Sequence, residues 1–229
     1  MRIETDLLVI GAGSGGLSVA AGAAQMGADV TLVEGGEMGG DCLNYGCVPS
    51  KSLLAAAKVA HGQAQAAPFG IADVAPTVDY AAAMGHVQEV IGRIAPHDSQ
   101  ERFEGLGVRV IRAWARFVSE REVEAGEARI RARRIVIATG SSPAVPPITG
   151  LETVPYLTNE PLWDLRERPG HLIVVGGGPI GMEMAQAHRR LVATSPCWRA
   201  RRRWAARTPR PRPSSSTGCA PRASRSRRG

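Results

Sequence analysis

Two cysteines five positions apart, Cys42 and Cys47, sit in the stretch Gly39-Gly40-Asp41-Cys42-Leu43-Asn44-Tyr45-Gly46-Cys47-Val48-Pro49-Ser50-Lys51. The other two cysteines, Cys197 and Cys219, stand far off in the C-terminal stretch. The chain starts with Glu4 and Asp6 ahead of its first apolar run and has no basic leader, so a secretory signal is not expected. In such a chain a close pair of thiols is more often redox-active or metal-binding than a structural staple. On a straight helix the pair would lie ~7.5 Å apart along the axis, whereas a disulfide needs Cα atoms within about 7 Å. The first cysteine is therefore expected in a distorted turn or loop, with the helix proper starting near Cys47. Asn44 and Gly46 tolerate unusual backbone angles, and Pro49 suits an early helical position. A thiol at a helix N-terminus is biased toward thiolate. Zinc would need two more suitably spaced ligands, and the body of the chain offers none, so no metal site is expected. Two buried small hydrophobes, or a chance spacing, remain open from these residues alone.

The second chemical feature is a glycine pattern, Gly11-x-Gly13-x-x-Gly16, with Ser14 and Gly15 between. It follows an apolar run, Asp6 to Ile10, that reads as a buried parallel strand, and precedes an alanine-rich helix, Leu17 to Met26. Asp29 to Glu34 reads as the next strand, completing a βαβ unit. Gly11 allows the tight turn, Gly13 lets backbone approach a pyrophosphate, and Gly16 lets helix pack on strand. The helix N-terminus then offers N–H groups to phosphates. Glu34 ends the second strand near the offset of an acid that binds a ribose hydroxyl. The plainer reading is a tight turn with a solvated glutamate. The same order returns later: Leu172 to Val175 as a strand, Gly176-x-Gly178-Pro179-Ile180-Gly181 as the turn, and Met182 to Leu191 as a helix. Two dinucleotide-type openings on one chain are the most informative feature of its organisation.

Between them, Pro49 to about Gln65 is expected to be helical, as is Val78 to Glu104 with an interruption near Pro96. Short strands follow at Val108 to Ile111, Ala115 to Val118, Glu122 to Glu124 and Ala128 to Ala132, then a buried strand at Ile135 to Ala138. Pro143, Pro146, Pro147 and Gly150 mark a linker. Hydrophobic residues make up 44% of the 229 and aromatics only 4%, so small aliphatic side chains must build the core. No apolar run approaches a membrane span, and a cytoplasmic protein without a membrane partner is expected.

The net charge of +7 is misleading. From Val192 to Gly229 there are 11 arginines and no acidic residue; without them, 17 basic residues face 21 acidic ones. The body is mildly acidic and the excess positive charge is confined to the tail. No nucleic-acid partner is expected. The competing reading is a non-enzymatic dinucleotide-binding protein, or one whose Arg-rich tail contacts nucleic acid by charge.

GGDCLNYGCVPSK resembles the redox-active signature of the pyridine nucleotide-disulfide oxidoreductases, a family that includes dihydrolipoamide dehydrogenase, glutathione reductase and mercuric reductase. The fingerprint at Gly11, the IVIATG stretch at Ile135 to Gly140 and the second fingerprint at Gly176 fall in that family's order, over Asp6 to Leu191. The resemblance implies an α/β chain. A Rossmann-like FAD-binding domain with a β-meander insert would span residues 1–150. Residues 151–191 would begin a Rossmann-like NAD(P)-binding domain; beyond the resemblance, 192–229 is expected from its composition to be a basic, disordered tail. The resemblance implies FAD together with NADH or NADPH, and as substrate a small disulfide or dithiol, or mercuric ion. Cys47 would exchange electrons with the flavin and Cys42 would attack the substrate. Lys51 would lie by the flavin, paired with Glu183. Gly11, Gly13, Ser14, Gly15, Gly16, Glu34, Gly40, Asp41, Ala115, Ala138, Thr139 and Gly140 would hold FAD, and Gly176, Gly178, Pro179, Ile180 and Gly181 the nicotinamide nucleotide. A homodimer, with a catalytic histidine given to the partner's site from a C-terminal domain, is expected of the full-length family. None of His61, His86, His97, His171 and His188 stands in a matching context. Asp41 and Tyr45 replace a usual threonine and a common valine, which leaves the terminal substrate open.

After Leu191 the periodicity stops. Composition alone reads this tail as disordered. A shift of reading frame gives another account. Ala193 to Arg199 can be encoded GCG ACG TCA CCG TGC TGG AGG, and from the third base this reads Asp-Val-Thr-Val-Leu-Glu, close to Asp29 to Glu34. The continuation Gly-Ala-Lys-Ala-Leu-Gly-Arg-Glu-Asp-Pro is again family-like. A glutamate ending that strand would favour NADH over NADPH. Sequencing the coding DNA across this point is expected to show an open second frame with these codons; stop codons there would end the idea.

Overall fold

The computed structural model describes residues 1–192, so the basic tail and its frame-shift reading lie outside the described residues. The first strand, β1 (Arg2–Ile10), starts four residues earlier than its apolar run suggested. It leads through the glycine turn into α1 (Ser14–Gln25) and then β2 (Val30–Glu34). A short helix α2 (Gly40–Asn44) carries Cys42, and α3 (Cys47–Ala64) begins at the second cysteine. The long helical stretch divides into α4 (Tyr80–Ile94), a 3₁₀ turn holding Pro96, and α5 (Gln100–Gly105). Asp79 and Ser99 start these two helices by accepting the N–H of Ala82 and Arg102.

β3 (Arg109–Arg112), β4 (Ala115–Ser119), β5 (Glu122–Ala125) and β6 (Ala128–Ile137) complete one six-stranded sheet in the order β3-β2-β1-β6-β5-β4. β3, β2, β1 and β6 are parallel neighbours, while β5 pairs antiparallel with both β6 and β4. This α/β architecture, a parallel sheet carrying an antiparallel meander of β4 and β5 at one side, is the Rossmann-like arrangement with a β-meander insert expected for residues 1–150.

Period-two alternation places the sheet's two faces. Val9, Val30 and Leu32 pack with Leu17 and Ala20 of α1 and with Phe103, while Leu8, Ile10 and Val33 pack with Val123 and Ile130 on the other face. A third apolar cluster joins α3, α4 and α6 (Pro179–Leu191) through Leu53, Met84, Trp163 and Met184.

Three expectations need correction. The runs Ala128 to Ala132 and Ile135 to Ala138 form one strand, because β6 is long enough to pair antiparallel with β5 and parallel with β1 along its length. The IVIA stretch is not a buried core strand: Ile137 is 66% exposed, since no described element covers its side chain there. Leu172 to Val175 is not a strand, and Ile173 and Val175 are exposed. A parallel strand needs hydrogen-bonded neighbours. β1 has β2 and β6, whereas no described strand flanks residues 172–175.

His188 of α6 is fully buried. Its Nδ1 lies 2.8 Å from the Met184 carbonyl and its Nε2 3.1 Å from the Tyr80 hydroxyl. A carbonyl only accepts, so Nδ1 carries the proton and the Tyr80 O–H donates to Nε2. Burial holds the imidazole's pKa below the usual 6.5. The unfolded chain therefore binds a proton before the folded one does. Stability is full above about pH 6.5 and is lost as pH falls from there through the lower folded value. The thermal midpoint is expected to drop between pH 7 and pH 5, with a shallower drop in His188→Gln; equal slopes would assign the loss to other groups.

Candidate functional site

The first glycine turn is built by close approach. Gly11 has φ +104°, and a Cβ there would lie 2.2 Å from the Ala138 carbonyl oxygen at the end of β6. A Cβ on Gly16 would stand 1.8 Å from the Gly11 carbonyl oxygen. Gly13 is the N-cap of α1 in extended geometry, with no side-chain cap and no acid in the first turn, while Gly15 faces open space. The first N–H groups of such a helix have no intrahelical partner and suit a phosphate. Ala138 itself is tied to the turn, its N–H donating to the Ile10 carbonyl at 2.7 Å, and Thr139 and Gly140 follow directly. Glu34 braces the same turn: its carboxylate accepts from the Ala12 N–H at 2.5 Å and from the Gly36 N–H at 2.6 Å.

The cysteine stretch lies on this turn. Gly13 and Gly39 form a parallel bridge, and the Gly39 N–H donates to the Ala12 carbonyl at 2.9 Å. Gly40, at φ +55°, sits so close that a Cβ would come within 2.7 Å of the Gly13 Cα. The Asn44 amide fastens the segment by donating to the Met38 and Gly40 carbonyls. Asn44 thus stays in ordinary helical backbone and serves through its side chain. Gly46 takes φ −116°, ψ −105°, and a Cβ there would press on an Asp41 carboxylate oxygen at 2.6 Å.

Cys42 and Cys47 are free thiols in mutual contact, Cys42 half-buried and Cys47 exposed. Exposure alone therefore does not make Cys42 the outward-facing thiol. Burial first, and then the hydrogen bond with Cys47, push the Cys42 thiol up to about 11. Among the described residues no cluster of three or more His, Cys, Asp or Glu side chains could hold a metal ion. One turn along α3, Lys51 Nζ lies 2.7 and 2.6 Å from the two Glu183 oxygens, so α6 is pinned beside the helix that starts at Cys47. Both groups are substantially exposed, and the pair contributes under about 1 kcal/mol.

The second turn repeats the first in atomic detail. Gly176 has φ +118°, a Cβ on Gly181 would lie 2.3 Å from the Gly176 carbonyl oxygen, and Gly178 caps α6 in the same extended geometry as Gly13. Pro179 and Ile180 form the first turn of α6, and Ile180 is exposed. Gly176 differs from Gly11 in having no described atom near its Cβ direction. Ala115 opens β4 opposite Ala125 and packs against the cluster that holds Val33 of β2. Next to it an exposed Trp114 lays its indole on Gly35, just beyond Glu34.

Reasoning from the sequence missed Trp114, and also Asn159 and Trp163, which reach the cysteine stretch from well over a hundred residues downstream. Asn159 Nδ2 donates to Asp41 Oδ1 at 3.2 Å, and Trp163 Nε1 to the Tyr45 carbonyl at 2.9 Å. The indole N–H of a tryptophan signals that a partner is wanted when the ring is buried, but not which partner.

Residues 5–214 match the family model described as pyridine nucleotide-disulphide oxidoreductase. The chain belongs to that family. It is 38% identical over 192 residues to a mercuric reductase of Streptomyces lividans, covering 81% of this chain and 40% of that protein. It is 40% identical over 201 residues to dihydrolipoyl dehydrogenase 3 of Pseudomonas aeruginosa, covering 84% and 43%. Among solved structures it is similar to the HOCl-induced flavoprotein disulfide reductase RclA of Escherichia coli, with a TM-score of 0.68, 28% identity, and coverage of 81% and 40%. The chain thus spans about two fifths of the length of these relatives. The family's enzymes are oxidoreductases acting on sulfur groups, with FAD and a nicotinamide nucleotide as cofactors. No described helix is long and apolar enough to cross a membrane.

Gly16→Ala forces its methyl into the Gly11 carbonyl and is expected to lower stability by roughly 2 kcal/mol or more. Gly15→Ala, with open space around it, is expected to stay near wild type. Urea denaturation of the two variants checks the pair; equal midpoints would contradict this close packing.

Proposed function

We propose that this chain supplies the flavin-binding half and the redox dithiol of a nicotinamide-coupled flavoenzyme acting on a small disulfide or dithiol, or on mercuric ion. The observation that carries the reading is the backbone contact of Gly39 and Gly40 with Gly13, which puts Cys42 and Cys47 beside the turn suited to a pyrophosphate. Residues 1–150 form the FAD-binding unit in this reading and 151–191 the opening of a nucleotide-binding unit.

The residues present fit FAD. Uncapped N–H groups of Ser14, Gly15 and Gly16 at the start of α1 would take the pyrophosphate, with no carboxylate in that turn to repel it. Glu34 lies at the strand end where a ribose hydroxyl would be bound, and its present bonds hold the turn open. Gly40, Asp41 and the Ala138 to Gly140 segment border the same turn, and Lys51 stands one helical turn from Cys47. Bound FAD would relay two electrons between a nicotinamide nucleotide and the thiol pair.

The chain's own chemistry is thiol–disulfide exchange. With its pKa near 11, Cys42 keeps its proton at neutral pH and needs a base before it can attack. The buried imidazole, His188, is committed to Tyr80 and Met184. For the 229-residue chain we therefore expect a flavin-binding dithiol unit with little turnover. The mercuric and disulfide readings both rest on adjacent thiols, and relatives of each name match the chain.

Absorbance spectra of the purified chain with added FAD test the reading. Dithiol reduction is expected to add a long-wavelength shoulder to the flavin band. Cys47→Ser should abolish it, and Cys42→Ser should show it without reductant. A spectrum blind to both substitutions would remove the thiols from the flavin.

A further inference from the structure

The bend between the two cysteines is held from outside the loop. α2 ends at Asn44, Tyr45 leaves helical geometry at φ −133°, Gly46 follows, and α3 begins at Cys47. A straight helix through these residues would separate the thiols by ~7.5 Å of rise, so the bend is what keeps them in contact. In a helix the Tyr45 carbonyl would accept from the N–H four residues on. That residue is Pro49, which has none. The orphaned carbonyl is taken instead by the indole N–H of Trp163, at 2.9 Å.

Trp163 is a fixed donor. It is 3% exposed, packed in the cluster that joins α3, α4 and α6, and its own carbonyl accepts from Gln88 Nε2 at 3.2 Å and Arg166 Nη1 at 2.8 Å. On the other side of Cys42, Asn159 Nδ2 donates to the Asp41 carboxylate at 3.2 Å. Two side chains from one short segment therefore grip the residue before Cys42 and the residue at the bend after it.

We infer that Asn159 and Trp163 are positioning residues: they clasp the cysteine loop in its bent form and so set how readily Cys42 and Cys47 form a disulfide. The inference rests on the reading of the pair as redox-active. The dithiol form tolerates a relaxed bend, because two separate thiols need no fixed spacing. The disulfide does not, because its S–S bond demands close Cα atoms. Loss of either grip thus disfavours the oxidised form selectively. A purely structural role would weaken both forms alike.

The test uses the full chain, equilibrated in mixtures of reduced and oxidised dithiothreitol. In this exchange the two protein thiols give up two electrons and two protons, and the Cys42–Cys47 bond forms. The cyclic dithiothreitol disulfide takes both and opens to its dithiol. Alkylation of remaining thiols, followed by the mass of the peptide holding both cysteines, reads the ratio. Trp163→Phe, which keeps the ring and loses the N–H, is expected to lower the oxidation equilibrium constant about tenfold, a rise of roughly 30 mV in potential. Asn159→Ala is expected to lower it about threefold with the thermal midpoint of the reduced protein unchanged. It carries the test alone if Trp163→Phe does not fold. Variants that titrate with the wild type would overturn the clasp while leaving the redox pair intact. A wild-type chain that forms no Cys42–Cys47 disulfide in any mixture would overturn the redox reading and the clasp with it.

Discussion

The structure depends on one close approach between two pieces of backbone. Gly40 meets Gly13 at a distance that no Cβ on Gly40 could allow, and from that contact the two chemistries of the chain share one place. Neither motif does this alone. The glycine turn by itself is an anion cradle, and the cysteine stretch by itself is a pair of thiols. Because the approach is backbone to backbone, it does not depend on neighbouring side chains and is intolerant of a Cβ on Gly40. Glu34 adds a polar brace, bonding the N–H groups of Ala12 and Gly36 from the end of the second strand. The carboxylate thereby holds Ala12 of the turn and the start of the connection toward Gly39 in one register.

The geometry of the thiols follows from how two helices are interrupted. A continuous helix from Gly40 to Ala64 would serve packing well but would hold Cys42 and Cys47 too far apart. The chain breaks it at Tyr45 and Gly46, with Pro49 withdrawing the N–H that would otherwise have favoured continuity. The break exposes a carbonyl, which costs about 1–3 kcal/mol if buried and unmatched, and an indole from the far end of the described chain supplies the match. Polar satisfaction therefore ties the cysteine loop to the segment that leads into the second glycine turn. The Lys51–Glu183 pair ties the same two regions on the surface, but with little energy. The buried apolar cluster around Leu53, Met84 and Trp163 does most of the joining.

How much of this was legible in the sequence follows from range. Local chemistry read well: the strand, glycine turn and helix at Gly11, the interruption at Pro96 and the start of a helix at Cys47 each follow from neighbours a few residues apart. The candidate residues around Gly13, Gly40 and the cysteines also come together in space. What did not read were partnerships across long separations. Nothing near Trp163 says that its N–H meets Tyr45, and nothing near Asn159 points to Asp41. Ile135 to Ala138 reads as buried because four apolar residues look alike whether a layer covers them or not. Only the fold decides that, and it leaves Ile137 open. Gly46 and Asn44 both carried the signature of unusual backbone, yet only the glycine uses it.

The second glycine turn shows what a motif can and cannot do by itself. Gly176 to Gly181 takes up the first turn's conformation, with the same positive φ at its opening glycine and the same pressure of carbonyl on its last. The turn is thus encoded locally, by glycines and the following helix. The strand before it is not. Residues 172–175 have the composition of a buried strand, yet only Val175 forms an isolated bridge, whereas β1, with much the same apolar pattern, pairs on both sides. At Gly11 the carbonyl of Ala138 closes the space beside the turn, and at Gly176 no described atom does. Helix caps and turns are therefore properties of short sequence, while a parallel strand is a property of its neighbours. That difference explains why the two turns share one glycine spacing and one conformation while the strands before them differ.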